Sequence, residues 1–195
     1  IGLGDLNGDG NLDLISNDVW FEGPADPLTG KWKAHRGEFF LHDASIPIIV
    51  EDFDGDGDAD FAWGRGHNYG VFWMEQVEGT GKGRWKEHTI DKSWSQAHSM
   101  VWIDIDADGQ NELVTGKRWR GHNGDDPGAD EPLGVYYYEW LPDQKKWSER
   151  YDITHGDHIG VGMQLQIVDI DKDGDFDLVC PGKSGLYLMK NVTGE

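Results

Sequence analysis

The chain has 195 residues, with 37 acidic against 17 basic side chains and a formal net charge of −20. That length suits one domain, or at most two. The charge argues against nucleic acid as a partner, because no basic stripe exists to neutralise phosphates. No apolar run approaches the roughly 20 residues of a membrane-spanning helix, and the one cysteine, Cys180, excludes an internal disulfide.

From the amino terminus, short apolar runs alternate with acid-rich turns, and no 3.6-residue helical period is found. The first turn is Asp5-Leu-Asn7-Gly-Asp9-Gly-Asn11-Leu-Asp13, followed by Val19-Trp20-Phe21 and by Lys31-Trp-Lys-Ala-His35. The second is Asp52-Phe-Asp54-Gly-Asp56-Gly-Asp58-Ala-Asp60. Strands are predicted around it over 46–51, 60–63, 70–75 and 84–90, with a Gly-rich turn over 78–83. The third, Asp104-Ile-Asp106-Ala-Asp108-Gly-Gln110-Asn-Glu112, precedes runs over 134–139 and 146–151. The fourth, Asp169-Ile-Asp171-Lys-Asp173-Gly-Asp175-Phe-Asp177, precedes a run over 185–189, and the chain stops before an outer strand.

In every turn, oxygen-bearing side chains fall at positions 1, 3, 5 and 9, with Gly at position 6. Alternate residues then aim oxygens inward, Gly permits the sharp turn, and the carbonyl of position 7 can add a ligand, which is how a short loop wraps a hard cation. A solvated acidic turn is the plain alternative, since Asp and Gly are turn residues. Four copies in register favour the cation, because crowded carboxylates without one repel by several kcal/mol per loop. Up to four Ca²⁺ are therefore expected. Loops of this kind suit millimolar extracellular calcium, so a secreted, extracellular or periplasmic setting is expected too. Cys180, inside Leu178-Val179-Cys180, reads as a buried structural thiol.

The pattern of a hydrophobic residue, then D-x-D-G-D-G-x-x-D, then another hydrophobic residue resembles the FG-GAP/VCBS repeat of integrin-type β-propellers. The recurrence of about 47 to 65 residues matches a four-stranded blade with insertions. The expected fold is all-β, a propeller of four-stranded antiparallel blades spanning about 1–42, 43–92, 93–155 and 156–195, the last incomplete. An incomplete array leaves two raw flanks, so the other blades of a ring of roughly seven are expected outside this chain. Such propellers serve adhesion, ligand binding and polysaccharide chemistry alike.

Residues that recur from blade to blade read as packing: Trp32, Trp85 and Trp147 opening the outer strands, His35 and His88 three places later where the third blade has Arg150, and Trp20, Phe72, Tyr136 and Tyr138. Unrepeated polar residues need another reason. If the acidic turn joins the first two strands at one end, the remaining connections emerge at the other. Those connections supply His42 and Asp43; Arg65, His67 and Asn68; Trp94, Gln96 and His98; Lys117, Arg118, Trp119, His122, Asn123, Asp125 and Asp126; His155, Asp157, His158 and Gln164; and Lys183. Six of the eight histidines thus fall on the end away from the acidic turns. Gly64-Arg65, Gly116-Lys117 and Gly182-Lys183 set a cation after the second strand of three blades. These cations form either ties between blades or a cationic collar that draws in hydroxyl-rich or anionic ligands. The insertion 116–128 is long for a hairpin and rich in Trp, Arg and His, which favours function.

Three chemistries fit the histidines: a His-rich site for Zn²⁺ or another transition metal, acid–base work without metal, or structural hydrogen bonding. The segments Ala97-His98-Ser99-Met100, Gly116-Lys117-Arg118, His122-Asn123-Gly124, Asp126-Pro127-Gly128 and Gly182-Lys183-Ser184-Gly185 are similar to the propeller domain of the aldos-2-ulose dehydratase family. That resemblance implies a metal-dependent sugar lyase or isomerase. The catalytic or metal candidates are His98, His122, His155, His158 and Lys117. The substrate-binding candidates are Arg65, His67, Trp94, Arg118, Trp119, Gln164 and Lys183. The competing class is a non-enzymatic adhesion or protein-binding propeller, for which the absence of a Ser-His-Asp order or phosphate loop speaks.

Overall fold

The computed structural model describes residues 1–45, 47–77 and 85–193. Ile46 at the start of the second inner strand, the Gly-rich turn over 78–83 and Arg84 at the start of the next outer strand lie outside the described residues. Four antiparallel sheets follow one another along the chain, each with its strands in sequence order. The first contains β1 (Gly2–Gly4), β2 (Asp13–Ile15), β3 (Val19–Glu22) and β4 (Lys33–Arg36). The second contains β5 (Ile49–Glu51), β6 (Asp60–Gly64), β7 (Tyr69–Gln76) and β8 (Trp85–Ser95). The third contains β9 (Ala97–Ile103), β10 (Glu112–Lys117) and β11 (Gly134–Leu141), whose outer edge is shared by β12 (Lys146–Trp147) and β13 (Tyr151–His155). The fourth has three strands, β14 (Gln166–Val168), β15 (Asp177–Gly182) and β16 (Gly185–Met189). The only helical elements among the described residues are two 3-10 turns, Gly121–Gly124 and Pro142–Gln144.

Strand alternation explains why the sheets stack as blades. In β6 and β7, Phe61, Trp63, Phe72 and Met74 join Leu6, Ile15, Trp20 and Val50 in one core. The intervening Ala62, Val71 and Trp73 join Met100, Leu113, Tyr136 and Tyr138 in a second. Val114 and Val135 face the other way, against Val161, Leu178 and Cys180 in a third. A period of two puts successive side chains on opposite faces of a sheet, so a strand apolar on both faces must be covered on both. Each core is thus an interface between neighbouring blades. Gly64 lies where inner strands meet: a Cβ there would stand 2.5 Å from that of Ala97.

Of the repeated aromatics, Trp85 and Trp147 pack in the first two cores, whereas Trp32 is in none of the three and donates its indole N–H to Pro27 O. His35 stacks on Trp20 at 3.9 Å and His88 on Trp73 at 4.8 Å, each with Nε2 on a glutamate, Glu22 and Glu75. In the third blade Arg150 takes the same place, 4.3 Å over the Tyr136 ring.

Several residues expected in connections belong to strands instead. Trp94 is in β8, His98 in β9, Lys117 ends β10 and His155 ends β13. Every residue from Trp94 to Met100 is buried, and the two strands run up to the corner between them. Only Gln96 is left to turn the chain, in the left-handed region at φ 65°.

Candidate metal loops and a histidine-rich site at opposite ends of the blades

The four acidic turns share one backbone geometry. Positions 4 and 6 both adopt positive φ: Gly8 and Gly10, Gly55 and Gly57, Ala107 and Gly109, Lys172 and Gly174. The two kinks fold each turn around its first carboxylate. Asp5 accepts from the amides of Asp9 and Gly10, Asp52 from those of Gly55, Asp56 and Gly57, Asp104 from those of Asp108 and Gly109, and Asp169 from that of Gly174. Asn7, Asp54 and Asp106 at position 3 each accept from the amide two residues on, as do Asp9, Asp56, Asp108 and Asp173 at position 5. One carboxylate oxygen from each of Asp52, Asp54 and Asp60 lies within 4.8 Å of the other two, and likewise for Asp104, Asp106 and Asp108 and for Asp169, Asp171 and Asp177. Asp58, Gln110 and Asp175 hold position 7, as Asn11 does in the first turn.

Position 9 does separate work. Asp13, Asp60, Glu112 and Asp177 are buried. Asp13 accepts from Leu6 N and from Gly23 N just past β3, and Asp177 from Ile170 N and Asn191 N just past β16. Asp60 accepts from Gln76 N and Glu112 from Ile105 N. Asp13, Asp60 and Asp177 therefore clasp their turns to a neighbouring strand's end, while Glu112 closes its own turn. Burial pushes Asp60 up to about 8, with repulsion from Asp54 and Asp56 added and the Gln76 amide opposing. Burial likewise pushes Glu112 up to about 7. Nearby positive charge is what such carboxyls lack.

The other end of the second and third blades carries a different constellation. His67, in the β6–β7 turn, directs Nδ1 at Asp126 Oδ2 across 3.1 Å, and His122 directs Nδ1 at Asp126 Oδ1 across 2.9 Å. The two rings stack at 4.5 Å, 12° from parallel, and His98 meets His67 edge-on at 5.6 Å. Arg118 Nη2 donates to Asp126 Oδ2 at 3.1 Å and to Gly66 O at 3.1 Å, and lies 3.2 Å from His67 Nδ1. Burial pushes Asp126 up, but the hydrogen bonds from His122 and His67 outweigh it and hold the carboxyl below its ordinary range. His98 is held low by burial and by the Arg118 charge. Its Nδ1, with Arg118 Nε and Gln96 Nε2, is buried without a hydrogen-bond partner. Gln96 Oε1 accepts from Gly121 N, fixing the insertion whose Arg120, His122 and Asn123 all adopt positive φ. Unfavourable backbone gathered at one place is a feature of functional sites.

The remaining candidates divide among other tasks. Lys117 is fully buried, its ammonium on Ser95 Oγ at 2.6 Å and Ser95 O at 3.2 Å, and burial lowers its pKa. Trp94 is a core residue whose indole N–H donates to Tyr138 Oη. The repeated cations take separate partners: Arg65 pairs with Asp43 at 2.7 Å, and Lys183 donates to Arg120 O at 2.8 Å, tying the fourth blade to the insertion. His155 is exposed with Nδ1 3.1 Å from Tyr136 Oη, and His158 is exposed. Trp119 is 39% exposed on the insertion. Gln164 lines an open groove of about 430 Å³ with Pro47, Met100 and Met163 along the inner strands. Asp126, the hub of the site, is among the unrepeated residues of the connections but in neither the catalytic nor the substrate-binding set. Its spacing of four residues from His122 within a Gly-rich insertion was the available signal.

Four stacked antiparallel sheets of three to five strands, with an acidic loop between the first two strands of each, define an all-β, propeller-like protein. Residues 52–115, from the second acidic turn to β10, match the family model described as FG-GAP-like repeat. That stretch is an FG-GAP-type repeat, and the turns at Asp5 and Asp169 carry the same spacing outside it. No curated protein matches the chain, so the dehydratase likeness draws no support from relatives.

Proposed function

We propose that this is a calcium-stiffened propeller domain that binds a carbohydrate or small anionic ligand at the end opposite its acidic loops. The observation that carries the reading is the separation of chemistries by end. Oxygen-only loops recur in all four blades at one end. The other end holds a single His67–Asp126–His122 group with Arg118 beside it. Calcium in the loops supplies the charge that Asp60 and Glu112 lack and fixes the blades that carry the histidines. Imidazoles, a guanidinium and the exposed Trp119 are groups suited to hydroxyl-rich or anionic ligands, and a secreted setting supplies the calcium.

The pairing of two imidazoles with one carboxylate favours a second, catalytic version of this reading, a sugar lyase or isomerase. With both Nδ1 atoms on Asp126, the Nε2 atoms lie on the far side of each ring, where one can take a proton and the other return it. An adhesion module binding a protein partner would use the same end without turnover.

The test is calorimetric titration of calcium-saturated protein with neutral hexoses, keto-sugars and uronic acids, followed by assay for dehydrated product. Binding that falls at least tenfold in Arg118→Ala, with calcium still raising the melting temperature, supports the reading. No response to any sugar class, or melting indifferent to calcium, overturns it.

A further inference from the structure

We infer that the fourth acidic turn carries its own competitor for calcium, the ammonium of Lys190, and so binds the ion more weakly than the second turn, its equal in acids. This rests on the reading of the acidic turns as calcium loops. Lys190 Nζ lies 2.9 Å from Asp171 Oδ2 and 3.4 Å from Asp173 Oδ2. Those are positions 3 and 5 of the turn, whose oxygens a hard cation would draw inward.

The hairpin register shows why this blade differs. Glu112 at position 9 pairs with Glu139 across the β10–β11 ladder. In the other blades the matching place is one step beyond the Leu14–Phe21, Phe61–Met74 and Leu178–Met189 pairs. It holds Glu22, Glu75 and Glu139 in the first three blades and Lys190 in the fourth. Glu22 turns to Lys33 and His35 on its outer strand, and Glu75 to Lys86 and His88. Lys190 turns to the acidic turn instead. A negative charge beside the ion's place has become a positive one.

The turn still suits the ion. One oxygen from each of Asp169, Asp171 and Asp177 lies within 4.8 Å of the other two. Asp169 Oδ1 is buried without a hydrogen-bond partner, an acceptor that the ammonium leaves open. An ammonium brings a single charge and donors for a few oxygens, whereas calcium takes about six to eight. The Lys190 side chain is 41% exposed and can swing into solvent, so calcium displaces it. Displacement breaks two surface ion pairs and leaves a cation close by, which weakens binding by about tenfold.

The experiment strips the whole chain with chelator and titrates it with Ca²⁺ against a competing calcium indicator. Asp54→Asn and Asp171→Asn identify the steps that belong to the second and fourth turns. Each of these turns contains five acids, so charge count alone predicts equal affinity. The Kd of the fourth turn should instead be about tenfold higher, and Lys190→Gln should bring it to within about threefold of the second. Lys172→Gln removes the same charge from an exposed position of the same turn and should recover less than half of the difference. Equal affinity of the two turns in the unaltered chain, no gain in Lys190→Gln, or the same gain in both lysine variants overturns the inference. Calcium uptake that ignores Lys190 leaves the calcium reading standing. No uptake by any turn overturns that reading and this inference together.

Discussion

His122 lies flat against His67, 4.5 Å between ring centroids, and the two share the carboxylate of Asp126. The contact joins the second blade to the insertion of the third, so one residue of each is fixed by a single buried acid. Asp126 also balances Arg118, and both side chains are close to nine-tenths buried.

That sharing separates structural from functional effects. Asp126→Ala leaves Arg118 without its carboxylate partner, and breaking a buried pair from one side costs on the order of 3 kcal/mol. His122→Ala removes an exposed ring and should change stability by no more than about 0.5 kcal/mol. Urea unfolding in calcium should show this gap. Equal losses would mean that His122 is packed as part of the fold.

The acidic turns predict a second contrast. Positions 4 and 6 are left-handed in every turn, yet Ala107 and Lys172 occupy position 4 in the third and fourth. A left-handed residue with a side chain is strained by roughly 1–2 kcal/mol, less the unfolded-state entropy that glycine adds. Lys172→Gly and Ala107→Gly should each raise stability by about 0.5–1 kcal/mol. At Gly109 a Cβ would meet nothing within 4 Å, so Gly109→Ala should lose about 1 kcal/mol through backbone strain alone. Thermal melts of the three variants in saturating calcium check the signs.

The sequence made these turns legible because their chemistry is local: nine residues contain both the kinks and the oxygens. Blade packing was legible for the same reason, since a two-residue alternation such as Phe61, Ala62, Trp63 declares both faces. The histidine end was legible only in part. Topology sent six histidines there, but which of them meet depends on contacts as distant in sequence as that between His67 and Asp126. Lys117 and Trp94 misled because a strand end and a connection read alike. Nothing in Lys117 itself reveals that Ser95 receives its ammonium.

Cys180 gives a pH-dependent test. Its thiol is fully buried in the third core, and burial pushes it up to about 11 from an ordinary 9.0. The folded state then holds its proton where the unfolded state has released it. Stability should be unaffected by this group below pH 9 and should fall by about 2–3 kcal/mol as pH rises from 9 to 11. A disulfide reagent at pH 8 should label the native thiol slowly and the unfolded thiol at once. Rapid stoichiometric labelling of native protein would contradict the burial.

Position 9 and position 5 of the first turn should part company when calcium is removed. Asp9 is exposed and bonds chiefly within its own turn, whereas Asp13 is buried and holds Leu6 N and Gly23 N, the second on another strand's end. Asp9→Ala should therefore cost stability only when calcium is present. The cost is the mass-action term for one site, about 2.7 kcal/mol at a hundredfold excess over Kd. Asp13→Ala should lose that term and also strand two buried amides, at about 1–3 kcal/mol each. In chelator the Asp9 variant should unfold with the unaltered protein while the Asp13 variant stays weaker. If both variants matched the unaltered protein in chelator, the clasp would be no more than a metal ligand. If both were weaker, the turn would be held by hydrogen bonds without regard to the ion.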